Sequence, residues 1–284
     1  MKITTLKQSL VTTALAFAFN SAFAGNFTDV PFTQPEATVV SGANDPFTDQ
    51  LFLFTTGFSW VNGYTNLVAQ TINYTTNSGN GVLNLLAFRE NDDIKLAGHE
   101  VGDLYDFVYQ DSSDGKLVFG TRIVLESDDD DDLAVASADD DDDEFEVELN
   151  FIYRSGFTNY STAAAWTYQT SNDLRMYNAA RTDSYELEGP FDANADLIRF
   201  QADISPEEGN PISGLYLVKT DATTFSVVAN AIGYYQAGEE GQPIVGEFLA
   251  GYAPAAAVPE AETYAMMLAG LAMIGTIARR RKSA

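Results

Sequence analysis

The sequence predicts a mainly β protein: a single antiparallel β-sandwich, jelly-roll-like, with an N-terminal signal peptide and a C-terminal transmembrane helix. Three observations carry this expectation. Between residues 25 and 257, short runs rich in Val, Ile, Leu, Phe and Tyr recur every ten or so residues, separated by Gly, Asn and Asp turn signals. No part of that interior sustains the 3.6-residue apolar rhythm of a long helix. Both ends are apolar with basic flanks, whereas the interior is strongly acidic. The chain therefore divides into residues 1–24, 25–257 and 258–284.

The elements follow in order. Leu51 to Phe54 and Asn66 to Tyr74 are β-rich, Asn77 to Gly81 reads as a turn, and Gly81 to Phe88 returns from it. Asp103 to Tyr109 enters Asp111-Ser112-Ser113-Asp114-Gly115, and Lys116 to Gly120 leaves. Asp-Gly between apolar runs is a hairpin signal because glycine supplies the positive φ of the turn. From Glu144 to Tyr153 the sequence alternates, placing Phe145, Val147, Leu149, Phe151 and Tyr153 on one face. Asp196 to Phe200, Gly214 to Lys219 and Thr224 to Val228 complete the central strands. Three clustered alanines suggest a short helix around Tyr160 to Tyr168. Gly238 to Pro243 reads as a loop before a last strand near Ile244 to Leu249, and Ala253 to Ala257 as a linker.

The two ends read as addresses. Lys2 and Lys7 precede an apolar run from Leu10 to Phe19, and Ala22-Phe23-Ala24 offers the small residues that signal peptidase accepts, so the mature chain is expected to start at Gly25. At the other end Tyr264 to Ala278 carries no charge but is shorter than the roughly 20 residues of a full membrane span. Its flanks decide the reading. Arg279, Arg280, Arg281 and Lys282 form a basic stop that stays cytoplasmic, with Glu260 and Glu262 at the opposite end. This polarity places the preceding domain outside the inner membrane.

Val258-Pro259-Glu260, Thr263-Tyr264-Ala265, Leu268-Ala269-Gly270-Leu271 and the terminal Arg279 to Lys282 occur in that order at the extreme C-terminus. Together they resemble the PEP-CTERM sorting domain of Gram-negative bacteria. The resemblance covers only the tail. It implies processing by exosortase, a membrane cysteine peptidase-transpeptidase, at Val258, Pro259 and Glu260. Release or transfer to the cell exterior would follow, in species that make exopolysaccharide, biofilm or flocs. Ala261 stands where the motif has its second proline.

Composition bounds the chemistry. The 284 residues include 41 acidic and 15 basic ones and no cysteine, with a net charge of −26. Six of the basic residues lie in the two end segments, so the domain between them is more acidic still. Nucleic acid is excluded as a partner because its binding is driven by Lys and Arg. Without cysteine there are no disulfides, thiol nucleophiles or thiolate metal ligands, and 19 Phe and 14 Tyr supply the core.

Two Asp runs are the most conspicuous candidates: Asp128, Asp129, Asp130, Asp131 and Asp132, then Asp139, Asp140, Asp141, Asp142 and Asp143, within residues 126–144. Carboxylates are the ligands hard Ca²⁺ prefers, yet charge this dense also reads as a solvated loop. Weakly bound Ca²⁺ is the one cofactor considered. Asp111 to Gly115 is a fainter calcium-loop echo, better explained as a turn. His99, the single histidine, has no nucleophile motif beside it, and no zinc motif occurs. Acidic pairs for glycoside hydrolysis are too numerous to single one out. Trp60, Tyr64, Tyr153, Tyr160, Trp166, Tyr168, Tyr234 and Tyr235 could stack on sugars but fit a β core better. The expectation is an exported, non-catalytic surface or matrix protein, structural or adhesive in exopolysaccharide or biofilm, with signal peptidase, exosortase, the inner membrane and exopolysaccharide as partners. The alternative is an exported carbohydrate-active hydrolase with the same tail.

Overall fold

The turn signals cut the chain into antiparallel pairs. The computed structural model describes residues 27–30, 51–76, 79–126, 147–182, 196–238 and 244–256. Its strands are β1 (Thr28–Asp29), β2 (Thr55–Trp60), β3 (Ala69–Thr76), β4 (Gly79–Leu96), β5 (His99–Asp111), β6 (Leu117–Leu125), β7 (Leu149–Arg154), β8 (Thr162–Thr167), β9 (Asn178–Thr182), β10 (Leu197–Ile204), β11 (Leu215–Thr220), β12 (Phe225–Gln236) and β13 (Val245–Pro254). Eight strands form one sheet in the order β1-β8-β11-β6-β5-β4-β3-β2, and five form a second in the order β13-β12-β7-β10-β9. The mainly β, antiparallel expectation holds, and no helix occurs among the described residues.

Alternation along the strands builds two cores. On one face of the large sheet, Leu104, Val108, Phe119, Ile123, Trp166 and Tyr216 meet Ile152, Ile198, Phe200, Ile232 and Tyr234 of the small sheet. The intervening residues point the other way. Tyr105, Phe107, Tyr109, Val118, Leu215 and Leu217 form a second core with Val68, just before β3, and with Ile72, Tyr74 and Leu83 of β3 and β4, which lie four and three strands from β11 in the same sheet. Such a cluster requires the large sheet to curl into a half-barrel. Residues 51–54 tie the curl together: Leu53 N–H donates to Trp166 C=O (2.8 Å), Trp166 N–H to Leu51 C=O (2.9 Å) and Thr75 N–H to Phe54 C=O (3.0 Å).

Several expectations need correction. The short helix around Tyr160 to Tyr168 is instead β8, paired along its length with β11. Ala163 and Ala165 pack into the curl while Ala164 faces the small sheet, so burial on both faces overrides alanine's helix propensity. The linker at Ala253 begins later, because β13 runs to Pro254, opposite Phe225. Pro254 is tolerated there at the end of an edge strand. The jelly-roll comparison also fails in detail. Strands β2 to β6 are consecutive neighbours in one sheet, a meander where Greek keys would need long crossing connections.

The alternation before Tyr153 does not stay on one face: Val147 and Leu149 point into the inter-sheet core, and the strand switches face before Phe151, where its pairing with β10 shifts register. Ile152 and Arg154 turn to the large sheet, while Tyr153 packs outside with Leu197 and Tyr235. Phe145, Asn77, the signal segment 1–24, residues 239–243 and the tail from Ala257 lie outside the described residues.

Candidate functional site

The sorting tail starts where β13 ends, and its root is firmly held. Ala255 N–H donates to Thr224 C=O (3.0 Å), and Thr224 Oγ1 donates back to Ala255 C=O (2.5 Å). Further up the strand, Arg89 Nη1 donates to Ala250 C=O (3.0 Å). Tyr252 N–H donates to Asp106 Oδ2 (2.6 Å), and Tyr252 C=O accepts from Arg154 Nη2. Gly251 is required at this crossing, since a Cβ there would sit 2.7 Å from Ile232 and 2.9 Å from Asp106 Oδ2. The hydrogen-bonded framework therefore reaches at least Ala255, and Ala256 and Ala257 separate it from Val258 in sequence. Val258, Pro259, Glu260 and the stop Arg279, Arg280, Arg281 and Lys282 lie outside the described residues.

The Asp-rich segment joins the two sheets. β6 closes with Leu125 N–H on Pro211 C=O (2.8 Å) and Glu126 N–H on Val101 C=O (3.1 Å), and the chain re-enters the description at Val147 before β7. All ten aspartates, Asp128 to Asp132 and Asp139 to Asp143, fall between these points, outside the described residues. Close to this departure is a group the sequence did not single out. Glu90, Asp92 and Asp103 place carboxylate oxygens within 4.8 Å of one another, and Asp103 lies opposite Val124. Tyr64 Oη donates to Glu90 (2.9 Å) and Asp93 N–H to Asp103 (3.3 Å). Burial raises the Asp103 pKa, and the neighbouring carboxylates of Asp92, Glu90 and Asp93 push it further. Three hard oxygen donors suit a divalent cation such as Ca²⁺. The signal was Glu90-Asn91-Asp92-Asp93 beside a hairpin: Ala97 and Gly98 at φ 52° and 95° turn β4 into β5.

The internal charges are all engaged. Arg154 reaches across the inter-sheet core to Asp106 (2.8 Å), Thr121 Oγ1 (2.6 Å) and Gly120 C=O (3.0 Å). Burial raises the Asp106 pKa against the pull of Arg154 and Tyr252 N–H. Inside the curl, Arg122 grips Asp173 with both terminal nitrogens (2.7 and 2.8 Å) and also donates to Gln169 (2.6 Å). Lys219 binds Asp111 (2.7 Å) and Asp114 (2.8 Å), and Tyr74 Oη adds a bond to Asp111 (2.7 Å). Burial alone would raise the Asp111 pKa, but Lys219, Tyr74 and Ser113 together hold it below its ordinary value. Every buried carboxylate among the described residues, Asp106, Asp111 and Asp173, thus faces an Arg or Lys.

This settles several sequence candidates. Asp111 to Gly115 is a hairpin turn: Gly115 has φ 72°, its N–H donates to Asp111 C=O, and Lys219 occupies the position that a cation would fill. His99 is exposed at the start of β5, opposite Leu96. Tyr153, Trp166, Tyr234 and Tyr235 are buried, while Trp60, Tyr64, Tyr160 and Tyr168 are half-buried. The aromatics are chiefly core.

An antiparallel β fold that runs into a short C-terminal tether defines a class: a folded cargo with an appended address. The address is of a known kind, because residues 257–282 match the PEP-CTERM protein-sorting motif. The motif implies exosortase as the processing partner and an exported, membrane-transiting protein. Neither the curated proteins nor the solved structures contain a significant match to this chain.

Proposed function

We propose that this chain is a non-catalytic surface or extracellular-matrix protein, structural or adhesive in exopolysaccharide or biofilm. It enters the inner membrane through its tail with the β domain in the periplasm. Exosortase then processes it at Val258, Pro259 and Glu260, and it passes to the cell surface or beyond. The observation that carries the reading is the junction: the last described strand ends at Pro254 and Ala255 is held by Thr224, immediately before the sorting motif. Cleavage beyond that point leaves every described strand and every described core residue in the released domain. The engagement of Asp106, Asp111 and Asp173 by Arg154, Lys219 and Arg122 supports a non-catalytic domain, since a general acid or base needs a carboxyl free to exchange its proton.

Four measurements test this. The C-terminus of the secreted material, located by intact mass, should fall at Val258 to Glu260, and removing exosortase should leave a larger, membrane-bound form. Identical mobility with and without the enzyme would reduce the tail to a plain anchor. Deleting the gene for the chain should change cell aggregation or polysaccharide retention. Glycoside hydrolysis that is lost on neutralising one carboxylate would replace the matrix reading with the hydrolase.

A further inference from the structure

From Leu51 to Phe88 the chain contains no Asp, Glu, Lys, Arg or His, although its net charge is −26. This uncharged stretch builds β2, β3 and the first half of β4, one wing of the large sheet. Ile72, Tyr74 and Leu83 turn inward from it. On the opposite face the register sets Ser59 against Thr71, Thr71 against Asn84 and Asn84 against Gln110, one row across four strands. Asn73 stands one pleat further along. Ser59, Asn73, Asn84 and Gln110 are exposed and Thr71 half-buried, with Ser59 Oγ and Thr71 Oγ1 joined at 2.6 Å.

We propose that this hydroxyl-and-amide face is a binding surface for a neutral polysaccharide. The proposal rests on the matrix reading of the domain and names its partner and face. Hydroxyls and carboxamides both donate and accept hydrogen bonds, as sugar hydroxyls do, and neighbouring strands repeat the row about every 4.8 Å. Charge selects the polymer. Five of the domain's basic side chains, Arg122, Arg154, Arg181, Arg199 and Lys219, are buried, so the exterior repels an acidic polysaccharide while the wing accepts an uncharged one. A second copy of the chain fits this face less well. Protein interfaces centre on aromatic and apolar anchors and are poor in Ser, and the edge strand β2 is interrupted by register shifts at Thr55/Gly57 and Ser59/Trp60. Such bulges guard an edge against strand addition.

The test is affinity electrophoresis of the full chain in a polyoxyethylene detergent, through native gels containing dextran, hydroxyethylcellulose, galactomannan or, as the acidic control, alginate. At least one neutral polymer should retard the protein and alginate should not. Asn73→Asp with Asn84→Asp should weaken the retardation by about tenfold or more at unchanged melting temperature. If that pair does not fold, Ser59→Asp with Gln110→Glu charges the same row. Migration unaffected by every neutral polymer, equal retardation by alginate, or retardation intact in folded variants overturns the proposal. A dimer that these variants abolish, without polymer binding, reassigns the face to self-association. Correct C-terminal processing of a protein that fails the gel test would leave the sorting reading standing and sink this one alone.

Discussion

The tether between fold and cleavage motif is short enough to be limiting. Among the described residues Ala255 is the last with a hydrogen bond to the fold, through Thr224, and Pro259 follows four residues later. Four extended steps span roughly 14 Å. A peptidase that binds its substrate as an extended strand needs several residues free of the fold on the upstream side, so little slack remains. Deleting Ala256 and Ala257 halves the reach to about 7 Å while leaving the Thr224 clamp and all of β13 intact. The deletion should cut the processed fraction about tenfold, equivalent to roughly 1.4 kcal/mol of lost productive binding, and inserting Gly-Ser-Gly-Ser at the same place should restore it. Immunoblot mobility and intact mass read the processed fraction, and a thermal melt confirms that the domain is unchanged. Processing of the deletion at the wild-type rate would show that the fold does not limit access, and the junction argument would fail.

Arg154→Met strands the buried Asp106 and should cost about 3–5 kcal/mol, a fall in Tm of roughly 10 °C for a domain of this size; adding Asp106→Leu should recover much of it in denaturant unfolding, and strictly additive losses would contradict the pairing. Asp111 titrates below its ordinary value when folded, so the unfolded chain binds the extra proton first. Its contribution is present above the ordinary carboxylate pKa and lost as pH falls toward the folded one; Asp111→Asn should flatten that acid limb of the stability curve, and an unchanged limb would refute the assignment. Replacing Asp128 to Asp132 and Asp139 to Asp143 by serine removes like-charge repulsion and should leave the calcium-free Tm equal or higher, whereas a clear drop would make the segment structural.

Strand content was legible because Asp-Gly turns and apolar runs are local signals. What lay beyond reach was set by non-local pairing. Ala163-Ala164-Ala165 favours helix by itself, and only β11 on one side and β1 on the other make it a strand. The change of face between Leu149 and Phe151 was equally hidden, since it falls where pairing with β10 shifts register. The curl followed from no periodicity, because the half-barrel depends on residues 51–54 reaching Trp166 from far along the chain. The sorting motif was fully legible, being a linear signal read by an enzyme. The triad Glu90, Asp92 and Asp103 needed the Ala97-Gly98 turn to bring Asp103 back, and the uncharged wing needed attention to what a stretch lacks.

The distribution of the few cations ties these features together. Arg122, Arg154 and Lys219 neutralise Asp173, Asp106 and Asp111 inside the two cores, Arg181 pairs with Asp196 (2.8 Å) near the surface, and Arg199 lies over the Phe151 ring at 5.0 Å. A buried carboxylate without such a partner would cost several kcal/mol, so these residues are committed to the fold. The exterior is left chiefly to the acids and the neutral wing, with Lys95 exposed beside Glu100. At low salt its field repels other copies and any polyanion across a Debye length of about 10 Å or more. Exchange of an outward acid that pairs with no buried cation alters chiefly that field, whereas exchange of an inward arginine dismantles a core. The domain's interactions and its stability are therefore separable by mutation.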